Sequence, residues 1–301
     1  MLPFVLFCKS FRDDVLRAKK LLDSVIAFNQ DLIPFYLSVP EKDLALFQEH
    51  INFNGLRSSY KGVIELITDE SIVLSNPKGN LEAYYSTKGY IGQQVIKAEA
   101  WRLLECDAYL SLDSDSFFTK PFHLHHFLDQ SGIPFTIMHD ASELLHLSNT
   151  LGYPKVKEFF LNDSSLLKRE FGRIGEDYDF GPAPLIWSAK VWQSLATHLE
   201  KQNETIWEAF QRLPLEIRWY GEALLQYQAI PIHAIQAIFL CHHYEWQSKH
   251  YRDHPELIKN SESIIGEVIQ SYWDESLRPA FAKKSWYSRA WKKIKQNIRK
   301  S

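Results

Sequence analysis

Residues 108–118 read Ala-Tyr-Leu-Ser-Leu-Asp-Ser-Asp-Ser-Phe-Phe. A short, mostly apolar run, Ala108–Leu112, passes directly into Asp113-Ser114-Asp115. A run of that length and character suits a strand covered on both faces. Just upstream, Gly92–Glu105 carries Ile96, Ala100, Leu103 and Leu104 as the apolar stripe of a helix. The alternation continues toward the N-terminus. Phe4–Cys8, Ile33–Val39 and Val63–Thr68 read as buried strands. Asp13 and Asp14 open a helix with Val15, Ala18, Leu21, Leu22, Val25 and Ile26 on one face, and Glu41–His50 is a shorter helix. Strands alternating with helices predict an α/β fold, its mixed, mostly parallel sheet covered by helices on both faces. Ligands of such sheets bind at the carboxyl ends of the strands. This chain places Lys9-Ser10, Asp69-Glu70 and Asp113-Ser114-Asp115 there.

Beyond Pro121 the pattern loosens. Ile133–Met138 and Ile232–Cys241 read as strands. Val191–Glu200, Glu204–Leu213 and Tyr220–Tyr227 read as helices, and Gly175–Ile186 is an acidic stretch interrupted by glycine and proline. We expect one catalytic-type domain over residues 1–250. Residues 1–122 would form its nucleotide and metal half, and 123–250 its acceptor half. Residues 251–301 would be a helical extension with a basic amphipathic tail.

The 301 residues are 45% apolar and 24% charged, an ordinary globular composition that excludes a disordered or fibrous chain. Eight of the 34 basic residues lie in 283–301, where no acidic residue occurs. The rest sets 26 basic against 37 acidic residues, a net charge of −11. A body that acidic argues against nucleic acid as a partner. Cys8, Cys106 and Cys241 have no metal-ligand or redox spacing, and each sits in an apolar stretch. Buried thiols suit a reducing, cytoplasmic compartment. The apolar start, Met1–Cys8, has no basic region or cleavage site and reads as a first strand, not a signal peptide. No run approaches 18 apolar residues.

Asp113 and Asp115 lie two apart at a strand end, so period-2 geometry turns both carboxylates to one side. Two hard oxygen ligands fit Mg2+ or Mn2+, which usually keeps substrate phosphates and water as its remaining ligands. Gln93 and Lys97 share a face of the preceding helix, with Gln94 beside them.

The segment Gln93-Gln-Val-Ile-Lys-Ala-Glu-Ala-Trp-Arg-Leu-Leu, followed by Tyr109-Leu-Ser-Leu-Asp-Ser-Asp115 and Lys120-Pro-Phe122, resembles the helix, strand and DxD arrangement of GT-A class, nucleotide-sugar-dependent glycosyltransferases. It is particularly similar to the glycogenin-like and lipopolysaccharide sugar transferases and to related uncharacterised bacterial families. The resemblance implies a GT-A, Rossmann-like domain and a metal-dependent transfer of sugar from a nucleotide-sugar donor to a glycan or lipid-linked acceptor. On the same resemblance, the expected product is a bacterial surface polysaccharide. It also implies that Asp115 binds the metal and Asp113 the metal or ribose, with Ser114 between them at the donor. Lys97 would reach the donor sugar or diphosphate. Lys9, Ser10 and Asp13 follow the first strand, where the class contacts the nucleotide, and Asp69 ends another strand on that side. Members with a late metal-binding histidine carry it after a C-terminal strand, which points here to His243, with His242 as the alternative, and tilts the stereochemistry toward retention.

On the acceptor side, 176–187 and 218–222 combine carboxylates with glycine, proline and aromatics. Trp187, Trp219 and Tyr220 are candidate sugar-stacking faces. Asp179 and Glu222 are candidate bases or stabilisers of positive charge. Two other readings stand beside this one: a phosphohydrolase of the haloacid dehalogenase type, whose DxD follows the first strand, and a non-catalytic carbohydrate-binding protein of the same fold. Tyr287, Trp291, Ile294 and Ile298 form a helical stripe opposite the tail's cationic face. That pattern suits the surface of an anionic membrane, docking on the acidic body being the alternative.

Overall fold

The computed structural model describes residues 2–256 and 263–282. In chain order the strands and helices are β1 (Leu2–Lys9), α1 (Val15–Phe28), β2 (Phe35–Val39), α2 (Leu44–His50), α3 (Phe53–Ser59), β3 (Ile64–Thr68), α4 (Asp69–Ser75), α5 (Leu81–Ser86), α6 (Gly89–Leu104), β4 (Cys106–Asp113) and β5 (Ser116–Phe118). Then follow β6 (Thr136–Ile137), α7 (Ser142–Thr150), α8 (Lys155–Glu170), β7 (Leu185–Ser188), α9 (Ala189–Lys201), α10 (Ile206–Arg212), α11 (Glu216–Tyr227), β8 (Ala234–Ile235), β9 (Phe239–His242), α12 (Glu245–Asp253) and β10 (Gly266–Ile269).

The central sheet has the order β3-β2-β1-β4-β7. Its first four strands are mutually parallel and β7 runs antiparallel to β4. The expected mixed, mostly parallel sheet is therefore present. β1 explains why its sequence is a continuous apolar run. Phe4, Leu6 and Cys8 enter one core, with Ala18, Leu21, Leu22 and Val25 of α1. Val5 and Phe7 enter the other, with Val95 and Ile96 of α6 and Trp192 of α9. Alternate residues serve opposite faces, so a strand with helices on both sides has no polar position. The three cysteines are free and buried. Among the described residues no helix is long and apolar enough to cross a membrane.

The second half departs from the sequence expectation. Ile232–Cys241 is two strands: β8 pairs with β6, while β9 pairs with β10. A second sheet runs β5-β10-β9. Its middle strand, β10, comes from the region expected to be an appended extension. Residues 263–282 thus belong to the body of the molecule, and position 250 marks no boundary. The expected strand 133–138 shortens to Thr136–Ile137, after Gly132 at φ +78° and Pro134. Residues 283–301, with the proposed membrane-binding tail, lie outside the described residues.

The two faces of α6 and α11 differ in how much room they leave at glycine. A Cβ at Gly221 would fall 2.2 Å from the Phe180 ring, whereas one at Gly92 would meet Tyr84 at an ordinary 3.8 Å. Gly221→Ala is expected to destabilise the protein by about 1–3 kcal/mol through overpacking. Gly92→Ala is expected to stabilise it by about 0.5–1 kcal/mol, because helix propensity rises without a clash. Urea unfolding of the two variants beside wild type measures both.

Candidate active site at the carboxyl ends of the parallel strands

β4 pairs with β1 so that Asp113 stands opposite Lys9 at the end of the sheet. Asp113 Oδ1 accepts from Lys97 Nζ, which reaches it from the buried face of α6. Asp115 lies just past the strand end. Its Oδ2 accepts from the backbone N–H of Ser271 at 2.8 Å, and its Oδ1 is buried without a hydrogen-bond partner. Burial and the neighbouring charge of Asp113 push the Asp115 carboxyl up to about 7, against the Ser271 N–H, which favours the charged form. Between them, Ser114 Oγ donates to Asp14 Oδ2 at 3.2 Å. Asp14 is paired with Arg17 at 3.0 Å, and Arg17 Nη2 also donates to the carbonyl of Asp274.

A second cluster forms where β1, β2 and β3 end. Lys9 Nζ lies 2.9 Å from Asp69 Oδ2. Asp69 also accepts from Ser38 Oγ at 2.6 Å and Tyr84 O–H at 2.7 Å. Ser10 continues the ladder through its N–H to Ser38 O, and its buried Oγ is unpartnered. The structure thus gathers Lys9, Ser10, Asp69, Lys97, Asp113, Ser114 and Asp115 along one edge. Asp13 is half-buried, and the carboxylate joined to Ser114 is its neighbour Asp14. Gln94 does not serve the edge directly, since its Nε2 donates to the carbonyl of Pro214 at 3.1 Å. Gln93 is half-buried on α6.

The donor set of Asp113 and Asp115 fits a hard divalent cation such as Mg2+ or Mn2+. Two carboxylates are held close, and one buried oxygen, Asp115 Oδ1, has nothing to bond. The expected third ligand does not join them. Among the described residues no three His, Cys, Asp or Glu side chains converge to hold a metal ion. β10 separates β9 from β5, so His242 stands one strand away from the Asp115 segment. His242 Nε2 lies 3.7 Å from Glu267 Oε2, and its Nδ1 is buried without a partner. The His243 ring packs on Tyr244 and Tyr272, with centroids 4.6 and 6.1 Å away. Burial lowers its pKa, opposed by the charge of Asp179.

Three acceptor-side candidates become core residues. Trp187, Trp219 and Tyr220 are 1%, 1% and 2% exposed, so no sugar can stack on them in this arrangement. Trp187 belongs to β7 in the central sheet, packed edge-on to Trp192. Trp219 Nε1 donates to Leu213 O, and Tyr220 O–H accepts from Ser188 N. Glu222, the other candidate base, is paired instead of free. It is 1% exposed and receives both Nε and Nη2 of Arg173. Asp179 stays half-buried, bridged to His139 through the backbone, its Oδ1 accepting from Gly181 N–H at 3.1 Å.

Sequence reading missed Asp14, Arg17, Ser38, Ser271 and Glu216. The i, i+3 spacing of Asp14 and Arg17 was a usable signal. Ser271 contributes a backbone group, which no residue type announces. Glu216 opens α11 near Lys97 and Asp113; burial raises its carboxyl, and Lys97 opposes the rise.

Residues 1–288 match the model of a family described as "Family of unknown function (DUF6492)", and the chain belongs to that family. No curated protein matches the chain.

Asp115 gives stability a pH dependence of definite sign. Its carboxyl is raised from 3.8 to about 7, so between those pH values the native state keeps a proton that the unfolded chain has released. Metal-free protein should therefore lose stability as pH rises from about 4 to 7, by an amount on the order of a few kcal/mol. Asp115→Asn should remove that part of the slope; urea unfolding in EDTA at several pH values reads it. Glu222→Ala strands Arg173 and should cost about 3–5 kcal/mol of stability. A stable Glu222→Ala protein with lost activity would restore Glu222 as a base.

Proposed function

We propose that this chain is a metal-dependent glycosyltransferase with a GT-A-type domain, moving a sugar from a nucleotide-sugar donor to a glycan or lipid-linked acceptor. The observation that carries the reading is the aspartate pair at the carboxyl end of β4, with the buried, unpartnered Oδ1 of Asp115. Two neighbouring carboxylates, one paired with Lys97 and the other keeping an unmet buried oxygen, suit a divalent cation held against a diphosphate. The mixed, mostly parallel central sheet is the coarse architecture this reading expects.

In this reading Asp113 and Asp115 would hold Mg2+ or Mn2+, which would supply positive charge against the departing nucleoside diphosphate. Lys97 keeps Asp113 oriented and adds positive charge beside it. Lys9, held by Asp69, which Ser38 Oγ in turn anchors, adds a second buried cation where the first strand ends. Ser10 and Ser114 offer hydroxyls along the same edge. The turn beginning at Ser271 closes one side: Tyr272 O–H donates to His243 O and Trp273 Nε1 to His242 O. Asp179, next to the lowered imidazole of His243, is the carboxylate we assign to the acceptor hydroxyl. The setting we propose is the cytoplasmic face of a membrane, with 283–301 on anionic lipid.

Thermal shift against a panel of nucleotide-sugars, with and without Mn2+, tests the reading through linkage. One donor should raise Tm only when Mn2+ is present. Asp115→Asn should abolish that shift and lower transfer at least about 100-fold, the scale of losing one electrostatic stabiliser. Undiminished transfer in EDTA, or no response to any donor, would refute it.

A further inference from the structure

Asp14 stands at the N-cap of α1, yet its carboxylate makes no capping hydrogen bond to that helix. An aspartate in that position ordinarily accepts from the first free N–H groups of its own helix. Here Oδ1 accepts from Arg17 Nη1 at 3.0 Å, and Oδ2 accepts from Ser114 Oγ at 3.2 Å. Asp14 and Arg17 are both buried. Burying an ion pair costs desolvation, and two apolar side chains of similar size often pack with equal or better stability. The contacts that this pair makes beyond itself are therefore the informative ones.

Those contacts reach the Asp113–Asp115 segment from two sides. One arm is Asp14 to Ser114, the residue between the two aspartates. The other is Arg17 Nη2, which donates to the carbonyl of Asp274. Asp274 closes a turn in which its own N–H and that of Trp273 donate to Gln270 O, at 3.2 and 3.3 Å. Inside that turn lies Ser271, whose N–H holds Asp115 Oδ2 at 2.8 Å. Just before it, Ile269 N–H donates to the backbone carbonyl of Asp115 at 3.1 Å. Arg17 thus closes a ring of contacts that runs from Asp14 through Ser114 and Asp115 to Ser271 and Asp274. With Oδ2 held in the ring, Oδ1 is the Asp115 oxygen left without a partner.

We propose that Arg17 is a positioning residue for the cation site: holding Ser114 through Asp14, and the 270–274 turn directly, it sets which oxygen of Asp115 a divalent cation meets. The inference rests on the reading of Asp113 and Asp115 as cation ligands. The role calls for a guanidinium. Its separate nitrogens serve a carboxylate and a carbonyl on different segments at once, whereas lysine offers a single nitrogen. Loss of the partners that orient metal ligands typically weakens metal binding about 10–100-fold.

Titration of the full chain with Mn2+, read by loss of the EPR signal of the free ion, tests the proposal without an activity assay. Wild type should bind Mn2+, and Asp115→Asn should lose that binding. Arg17→Met should weaken it at least about tenfold. That variant leaves Asp14 buried and unpaired, so the double variant Asp14→Leu/Arg17→Met, which strands no charge, repeats the test and should be weakened as much. Arg17→Lys keeps the charge but not the two arms, and should be weakened at least about fivefold. Leu22→Ala loosens the packing of the same helix without touching either arm, and should bind Mn2+ as wild type does. Circular dichroism confirms that each variant is folded. Wild-type affinity in the folded double variant or in Arg17→Lys overturns the proposal and leaves the cation reading standing. Equal weakening in Leu22→Ala overturns it as well, as an effect of packing alone. Absence of Mn2+ binding by wild type overturns the cation reading and this inference with it.

Discussion

Asp113 and Asp115 are like charges placed at the end of a strand with helices on both faces. Bringing them out of water is unfavourable unless positive charge or hydrogen-bond donors meet them. The surrounding structure meets part of that demand. Lys97 reaches Asp113 from α6, and the Ser271 N–H reaches one oxygen of Asp115 from the far end of the chain. The other oxygen of Asp115 stays unmet. That remaining deficit is the physical basis for reading the site as one that takes up a cation with its substrate.

The counter-charges come from separate elements, and each is itself anchored. Lys97 is buried on α6, and the backbone carbonyl at that position accepts from Tyr109 O–H of β4 at 2.7 Å. Arg17 binds Asp14 at the start of α1 and the carbonyl of Asp274. Lys9 is held by Asp69 at the start of α4. A loss at any one of these positions would leave a partner charge buried and uncompensated, which costs more than the pair contributes. The site is therefore tied to the packing of α1, α4 and α6 on the central sheet.

The C-terminal segment completes this arrangement. β10 enters between β5 and β9, and the turn after it binds Asp115, His242 and His243 through three separate contacts. Phe281 then packs near His50 and Arg12, close to the end of β1. Residues far apart in sequence thus enclose the carboxylate edge from the side opposite α6.

Local pattern was enough for the α/β class, the first four strands, α1 and α6, because each is set by short-range periodicity and burial on one or two faces. The same pattern placed Lys9, Asp69, Lys97, Asp113 and Asp115 near strand ends, since parallel strands all end on one edge of the sheet. It did not separate core aromatics from exposed ones. Trp187, Trp219 and Tyr220 look the same in sequence whether they stack on a sugar or on each other, and only the packing of β7, α9 and α11 decides. Nor could it show that Arg173 occupies Glu222, that β10 stands between β9 and β5, or that a backbone N–H at Ser271 meets Asp115. Those are contacts between segments tens to more than a hundred residues apart. Nothing in the local sequence encodes them; they exist only once the chain has folded.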